Sequence, residues 1–256
     1  MNERKYEYNK KDILSVWDIW QEIYGEKKYD EALSMLPSKP IILDVGANIG
    51  LFVSRCADIC EMPTVYCFEP IPEIYSYLQT NVSKMQGTFF TSSVGIGSKH
   101  ENIDIHYFPR ASGMSTGCDD IDDKFRIGVQ HIFPDIQYKP FKNSLYHMYI
   151  KFFIRSKRIN VTIVPLKDIL RNVHGTIHLV KIDCECYELN VLQGLSSEDF
   201  ARIENIYVEI ENYRDNNLTR ILEILTLNNF ELKHKIDYNR PWVSILACNR
   251  SKRVPR

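Results

Sequence analysis

Apolar residues along this chain switch between a helical and a strand-like spacing, and the switches mark out its elements. From residue 13 to 24, Ile13, Leu14, Val16, Trp17, Ile19, Trp20, Ile23 and Tyr24 are dense enough for a helix packed on more than one side. Gly25 ends it, and a second short helix with Ala32, Leu33 and Leu36 leads to Pro40. Ile41 to Val45 is then a short apolar run, the pattern of a parallel strand buried on both faces, and Gly46 and Gly50 bracket a tight turn into a helical run through Ile59. Thr64 to Phe68 is a second β-rich run. Glu73 to Met85 places Ile74, Tyr77, Leu78 and Val82 at helical spacing, and Gly87 stops it before a third strand at Thr88 to Thr91.

Further along, Ile103, Ile105 and Tyr107 alternate with Asp104 and His106, as in a half-buried strand with one wet face. Residues 110–159 break the alternation. ASGMSTG is turn-rich and reads as flexible, and the rest is aromatic without a clear period until SLYHMYIKFFIRSKR. The α/β pattern resumes with a strand at Val161 to Val164, a short helix at Pro165 to Leu170 and a fourth core strand at Ile177 to Asp183. A fifth strand at Ile206 to Ile210, a helix at Leu218 to Leu227 and a closing hairpin of Phe230 to Lys235 with Trp242 to Cys248 complete the domain. The expected organisation is a helical N-terminal extension (1–39), an α/β domain (40–249) with a lid-like insertion (110–159), and a basic, disordered tail (250–256). The extension could cap a pocket, but packing against the sheet is the plainer role.

Composition adds little. With 256 residues and 44% hydrophobic content the chain can bury a large core, and a formal net charge of -1 gives no reason to propose nucleic acid as a partner. No run approaches the roughly 18 apolar residues of a spanning helix, so a soluble protein is expected. Seven scattered cysteines with no Cys-x-x-Cys pair argue for reduced thiols and a cytoplasmic location. The one strong local bias is Lys139, Lys142, Lys151, Arg155, Lys157 and Arg158 without a single acid between residues 139 and 158. A basic aromatic helix there could recognise an anionic or carrier-linked acceptor, or be a solvated face with a buried aromatic stripe.

The chemistry concentrates at strand ends. A glycine turn lets backbone approach a ligand, and Glu69, nineteen residues beyond Gly50, ends the second strand where an acid can accept bonds from a ribose diol. A nucleoside suits both halves. The turn lacks the third spaced glycine of a dinucleotide site, which makes an NAD-dependent oxidoreductase the weaker reading. Asp44-Val45-Gly46-Ala47-Asn48-Ile49-Gly50 and Phe68-Glu69-Pro70 resemble the S-adenosylmethionine site of class I methyltransferases, specifically the FkbM family. A second block, Lys181-Ile182-Asp183-Cys184-Glu185-Cys186-Tyr187-Glu188 with Val191-Leu192 and Gly194, resembles that family's Lys-Ile-Asp-x-Glu-Gly-x-Glu-x-x-Val-Leu-x-Gly pattern. It departs at Cys186, where the family usually has glycine, which leaves the local backbone conformation open.

The resemblance implies a Rossmann-like, doubly wound, mostly parallel seven-stranded sheet closed by an antiparallel hairpin. It also implies transfer of a methyl group, most often to oxygen. The cofactor-binding set is then Asp44, Gly46, Ala47, Asn48, Gly50, Glu69, Pro70 and Asp183, with Ser93 and Val94 where sheet geometry places an adenine edge. An alcohol acceptor needs a base, and Asp183 and Glu185 at the fourth strand tip are the candidates, ahead of His106, His131 and His147. Either acid could instead cap the following helix. Asp183, Glu185, Glu188 and Glu209 are oxygen ligands suited to magnesium, but no metal is favoured because spacing alone does not make them converge. A non-catalytic binding module that keeps the nucleotide pocket is the remaining alternative.

Overall fold

The computed structural model describes residues 6–117, 155–210, 216–233 and 242–252. The chain enters through α1 (Ile13–Trp20), which continues as a π-helical turn over Gln21–Gly25, and α2 (Asp30–Ser34). Strand and helix then alternate: β1 (Ile41–Val45), α3 (Leu51–Ile59), β2 (Thr64–Phe68), α4 (Pro72–Val82) and β3 (Thr88–Ser92). Three further strands follow: β4 (Gly95–Gly97), β5 (Glu101–Tyr107) and β6 (Lys157–Pro165). The remainder runs α5 (Leu166–Leu170), β7 (Leu179–Ile182), α6 (Glu188–Gln193), α7 (Ser197–Arg202) and β8 (Asn205–Ile210). It ends with α8 (Asn217–Leu227), β9 (Phe230–Leu232) and β10 (Val243–Asn249).

Seven strands form one sheet in the order β3-β2-β1-β7-β8-β10-β9. The pairs from β3 to β8 are parallel, and β10 runs antiparallel to both β8 and β9. This is the expected doubly wound sheet closed by a hairpin. The central strands carry apolar side chains on both faces: Ile42 enters one core with Phe52, Leu78 and Leu179, while Leu43 and Val45 enter the other with Val180, Ile182 and Val208. Complete burial of β1, β7 and β8 on two faces is why these strands read as continuous apolar runs.

The half-wet strand expected around residues 103–107 and the strand expected at 161–164 leave this sheet. β5 and β6 pair with each other antiparallel, and β4 joins β6 in parallel, as a separate three-stranded sheet. Lys157 and Arg158 open β6, opposite Tyr107 and His106, so the basic helix expected to run through Arg158 does not reach them. The other basic residues, Lys139, Lys142 and Lys151, and His131 and His147, lie outside the described residues. Arg250–Lys252, expected to be disordered, form a 3-10 turn whose first amide donates to Asn229 O at 2.9 Å.

The N-terminal extension is fastened to the domain by polar contacts as well as apolar ones. Tyr6 and Tyr24 hydroxyls meet Ser54 Oγ at 2.8 and 2.9 Å, Arg55 pairs with Asp30, and Asn81 exchanges hydrogen bonds with the main chain of Glu7. Its first helix is packed on fewer sides than its pattern suggested, because Ile13 and Trp17 are exposed while Val16 is buried. Trp17, Trp20 and Tyr24 instead stack in sequence, with ring centroids 5.3 and 5.5 Å apart. No helix among the described residues is long and apolar enough to cross a membrane.

Candidate active site

The carboxyl ends of β1, β2, β7 and β8 meet at the β1/β7 junction, where sheet order reverses and a crevice opens in doubly wound sheets. Gly46 turns the chain out of β1 with φ +79°, and its amide and that of Ala47 both donate to Phe68 O at 3.0 Å. A Cβ on Gly46 would stand 1.8 Å from the carbonyl oxygen of Asp183, so the turn after β1 and the turn after β7 touch through backbone. Only glycine permits that approach. Asn48 also sits at positive φ, and Gly50, at φ +90°, opens α3.

Glu69 is buried at the end of β2, its Oε2 accepting from Asn48 N at 3.0 Å and its Oε1 from Ile71 N at 2.9 Å. Burial pushes its carboxyl up to about 7 against the pull of those two amides and of Lys181. The acid thus holds the glycine turn in shape, and each oxygen retains a lone pair for a further donor. Pro70 is half-buried beside Gly95, while Ser93 and Val94 link β3 to β4, the serine exposed and the valine packed on the second core.

Lys181 ties the two blocks together. It is buried in β7 beside β1, and its Nζ donates to Gly46 O at 2.8 Å and lies 3.2 Å from Asp44 Oδ1 and 3.5 Å from Asp183 Oδ2. Asp44 is fully buried, and no hydrogen bond is aimed at either carboxylate oxygen from the described residues. Burial raises its pKa, while Lys181 holds it down.

Beyond β7 the chain takes two consecutive residues at positive φ, Glu185 at 58° and Cys186 at 81°. This answers the departure at Cys186: the position keeps a left-handed backbone although the residue is not glycine. The bend is held by Glu188 Oε1, which accepts from Cys186 N at 2.9 Å and from Cys184 N at 3.4 Å, and by Thr116 Oγ1, which donates to Glu185 O at 3.0 Å. Gly194, the last residue of the motif, lets α6 lie against β4, since a Cβ there would stand 2.3 Å from Gly97 O.

Two expectations are corrected here. The segment ASGMSTG is packed rather than flexible: Ser112 N donates to Asp12 Oδ1 at 3.0 Å, Gly113 N to Ser15 Oγ at 2.9 Å, and His106 and Thr116 exchange main-chain bonds. The N-terminal extension supplies both acceptors, which local composition could not reveal. The cysteines are not all reduced either. Cys56, Cys60, Cys67, Cys184 and Cys248 are free thiols, but Cys186 is disulfide-bonded, with its partner outside the described residues.

Glu209, at the end of β8, is bound by Lys28 from the N-terminal extension, and Ser244 Oγ donates to its Oε2 at 3.2 Å. Lys28 also contacts Glu22 at 2.8 Å, and the adjoining Tyr29 packs edge-on against both Phe52 and Tyr207. Lys28 had no signal in the sequence, being one of many exposed-looking lysines. Glu188 is committed to backbone amides and Glu209 to Lys28, and no group of three or more His, Cys, Asp or Glu among the described residues is placed to hold a metal ion.

The fold is a doubly wound α/β sheet with a glycine turn and strand-end acids at the point where strand order reverses. Residues 44–232 match the family described as Methyltransferase FkbM domain, and the chain belongs to that family. It is 28% identical over 202 residues to Methyltransferase sdnD of Sordaria araneosa, covering 75% of this chain and 73% of that one. It is 23% identical over 214 residues to 31-O-demethyl-FK506 methyltransferase FkbM of Streptomyces tacrolimicus, covering 83% and 80%. The crystal structure of Methyltransferase FkbM from Methylobacillus flagellatus KT aligns with a TM-score of 0.48 at 15% identity, over 87% of this chain and 50% of that chain.

Proposed function

We propose that the chain transfers the methyl group of S-adenosylmethionine to an oxygen of a small-molecule or carrier-linked, natural-product-type acceptor. The observation that carries this reading is the junction of the two motif blocks, Gly46 against Asp183 O with Lys181 bonded across both. Names of relatives such as 31-O-demethyl-FK506 methyltransferase support the acceptor class. Gly46, Ala47, Asn48 and Gly50 would approach the donor through backbone, Glu69 would accept from its ribose hydroxyls, and Pro70, Ser93 and Val94 would border its base. Asp44 and Asp183 would face its positively charged end. The donor, when bound, supplies an activated methyl group, so that alignment with the nucleophile provides much of the rate.

The chain's own residues then hold and orient the two reactants. Asp183 and Glu185, just beyond β7, would be acids near the reacting end, and the part of the expected lid that carries Lys139, Lys142 and Lys151 lies outside the described residues. Labelled S-adenosylmethionine incubated with the host's metabolite extract tests the reading. Labelled product that disappears in Glu185→Gln, with donor binding retained, is expected. Measurable binding of S-adenosylmethionine with no labelled product from any extract refutes it.

A further inference from the structure

The strand order places β7 between two halves of the crevice. On one side lie the glycine turn of β1 and Glu69 of β2, which the donor reading occupies. The other side is the carboxyl end of β8, the place left for an acceptor. Glu209 stands there, one position past the last paired residues Ile182 and Val208 and therefore beside Asp183. It is buried at 9% exposure, and Lys28 and Ser244 both engage its Oε2, whereas Oε1 accepts no hydrogen bond from the described residues.

We propose that Glu209, in place of the expected Asp183 or Glu185, takes the acceptor's proton and that Lys28, delivered by the N-terminal extension, is the positioning residue that holds Glu209 ionised. This rests on the methyl-transfer reading above. The groups facing the carboxyl are Lys28, Glu22 and Tyr29 from the extension, Lys181 and Asp183 from β7 and its end, Tyr207 from β8 and Ser244 from β10. Burial, with Asp183 and Glu22 adding to it, pushes the carboxyl up to about 7, while Lys28 pulls it down. A general base works best when its pKa lies near the working pH. In the step, the acceptor's O–H proton passes to Glu209 Oε1 and an oxygen electron pair forms the bond to the methyl carbon. The carbon–sulfur bond breaks with its electrons going to sulfur, which leaves a neutral thioether.

The test uses the full chain, methyl-labelled S-adenosylmethionine and the host metabolite extract. Glu209→Gln should lose labelled product by at least about 100-fold, the scale of general-base catalysis, with donor affinity changed less than about twofold. Lys28→Met should move the rising limb of the pH–rate profile upward by about one unit or more, so that raising the pH restores product, and Lys28→Arg should restore the original profile. Retained product in Glu209→Gln, parallel loss of donor binding, or an equal loss in Lys28→Met at every pH overturns the assignment. Should the variants fail to fold, 13C-glutamate NMR of the unaltered protein decides: a Glu209 midpoint near 7 is expected, and one below about 5, the ordinary range, overturns it. Absence of product from the unaltered protein despite donor binding defeats the methyl-transfer reading itself, whereas product from the unaltered protein and Glu209→Gln alike defeats only this assignment.

Discussion

Replacing Lys181 with methionine keeps the side chain's length and apolar stem while removing the ammonium that three groups share. Gly46 O loses its donor at 2.8 Å, and Asp44 and Asp183 lose a cation at 3.2 and 3.5 Å. The cost falls on Asp44, which is fully buried and has no other counter-charge or hydrogen bond from the described residues. Breaking a buried pair by removing one partner destabilises by about 3–5 kcal/mol. At about 2–4 °C per kcal/mol for a domain of this size, the melting temperature should fall by about 6–20 °C. Lys181 holds the Asp44 pKa down, so its loss lets that pKa rise further above the 3.8 of an ordinary aspartate. A group whose folded pKa is raised binds more protons folded than unfolded, so stability falls as pH climbs from the unfolded value toward the folded one. The deficit of Lys181→Met should therefore be smallest near pH 4 and grow toward neutrality, and Asp44→Asn introduced beside it should recover part of the loss. Thermal unfolding of the single and double variants across pH measures this. A Lys181→Met protein as stable as the original at pH 7, or a deficit that shrinks with rising pH, would refute the account of Asp44 as a buried charge dependent on Lys181.

Glu69→Gln should weaken S-adenosylmethionine binding by about 10–100-fold, the value of a hydrogen bond to a charged group, as read by calorimetry. In the unaltered protein that affinity should rise as pH passes about 7 and Glu69 ionises; a flat affinity from pH 6 to 8 counts against Glu69 as an acceptor of ribose hydroxyls. Under reducing conditions Cys186→Gly should be about 1 kcal/mol more stable than Cys186→Ala, because only glycine occupies a φ of +81° without steric cost. Equal denaturant midpoints for the two would show that the bend after β7 carries no strain at that residue.

The strands of the main sheet were legible because their chemistry is local. Ile41–Val45, Leu179–Ile182 and Asn205–Ile210 are buried on both faces, and such strands read as apolar runs broken only by Asp44, Lys181, Asn205 and Glu209. Glu69 and the glycine turn were legible for a similar reason, since their spacing follows from one βαβ unit. Strands β5 and β6 were visible as strands, yet nothing in an alternating pattern names a partner, and their departure into a second sheet rests on a pairing across fifty or more residues. The packed state of ASGMSTG was hidden because its hydrogen-bond partners, Asp12 and Ser15, lie about a hundred residues earlier.

The sequence by itself determined which segments are strands and helices, which turn needs glycine, and which acids end the strands, because backbone conformation and burial on two faces constrain neighbouring residues directly. Tertiary structure alone decided which of those acids is paired with what. Asp44 depends on Lys181, from a strand distant in sequence. Glu188 is spent on two amides of its own loop. Glu209 meets a lysine from the opposite end of the chain. The ionisation of a carboxylate is set by what surrounds it in space, and that is fixed only when the chain has folded.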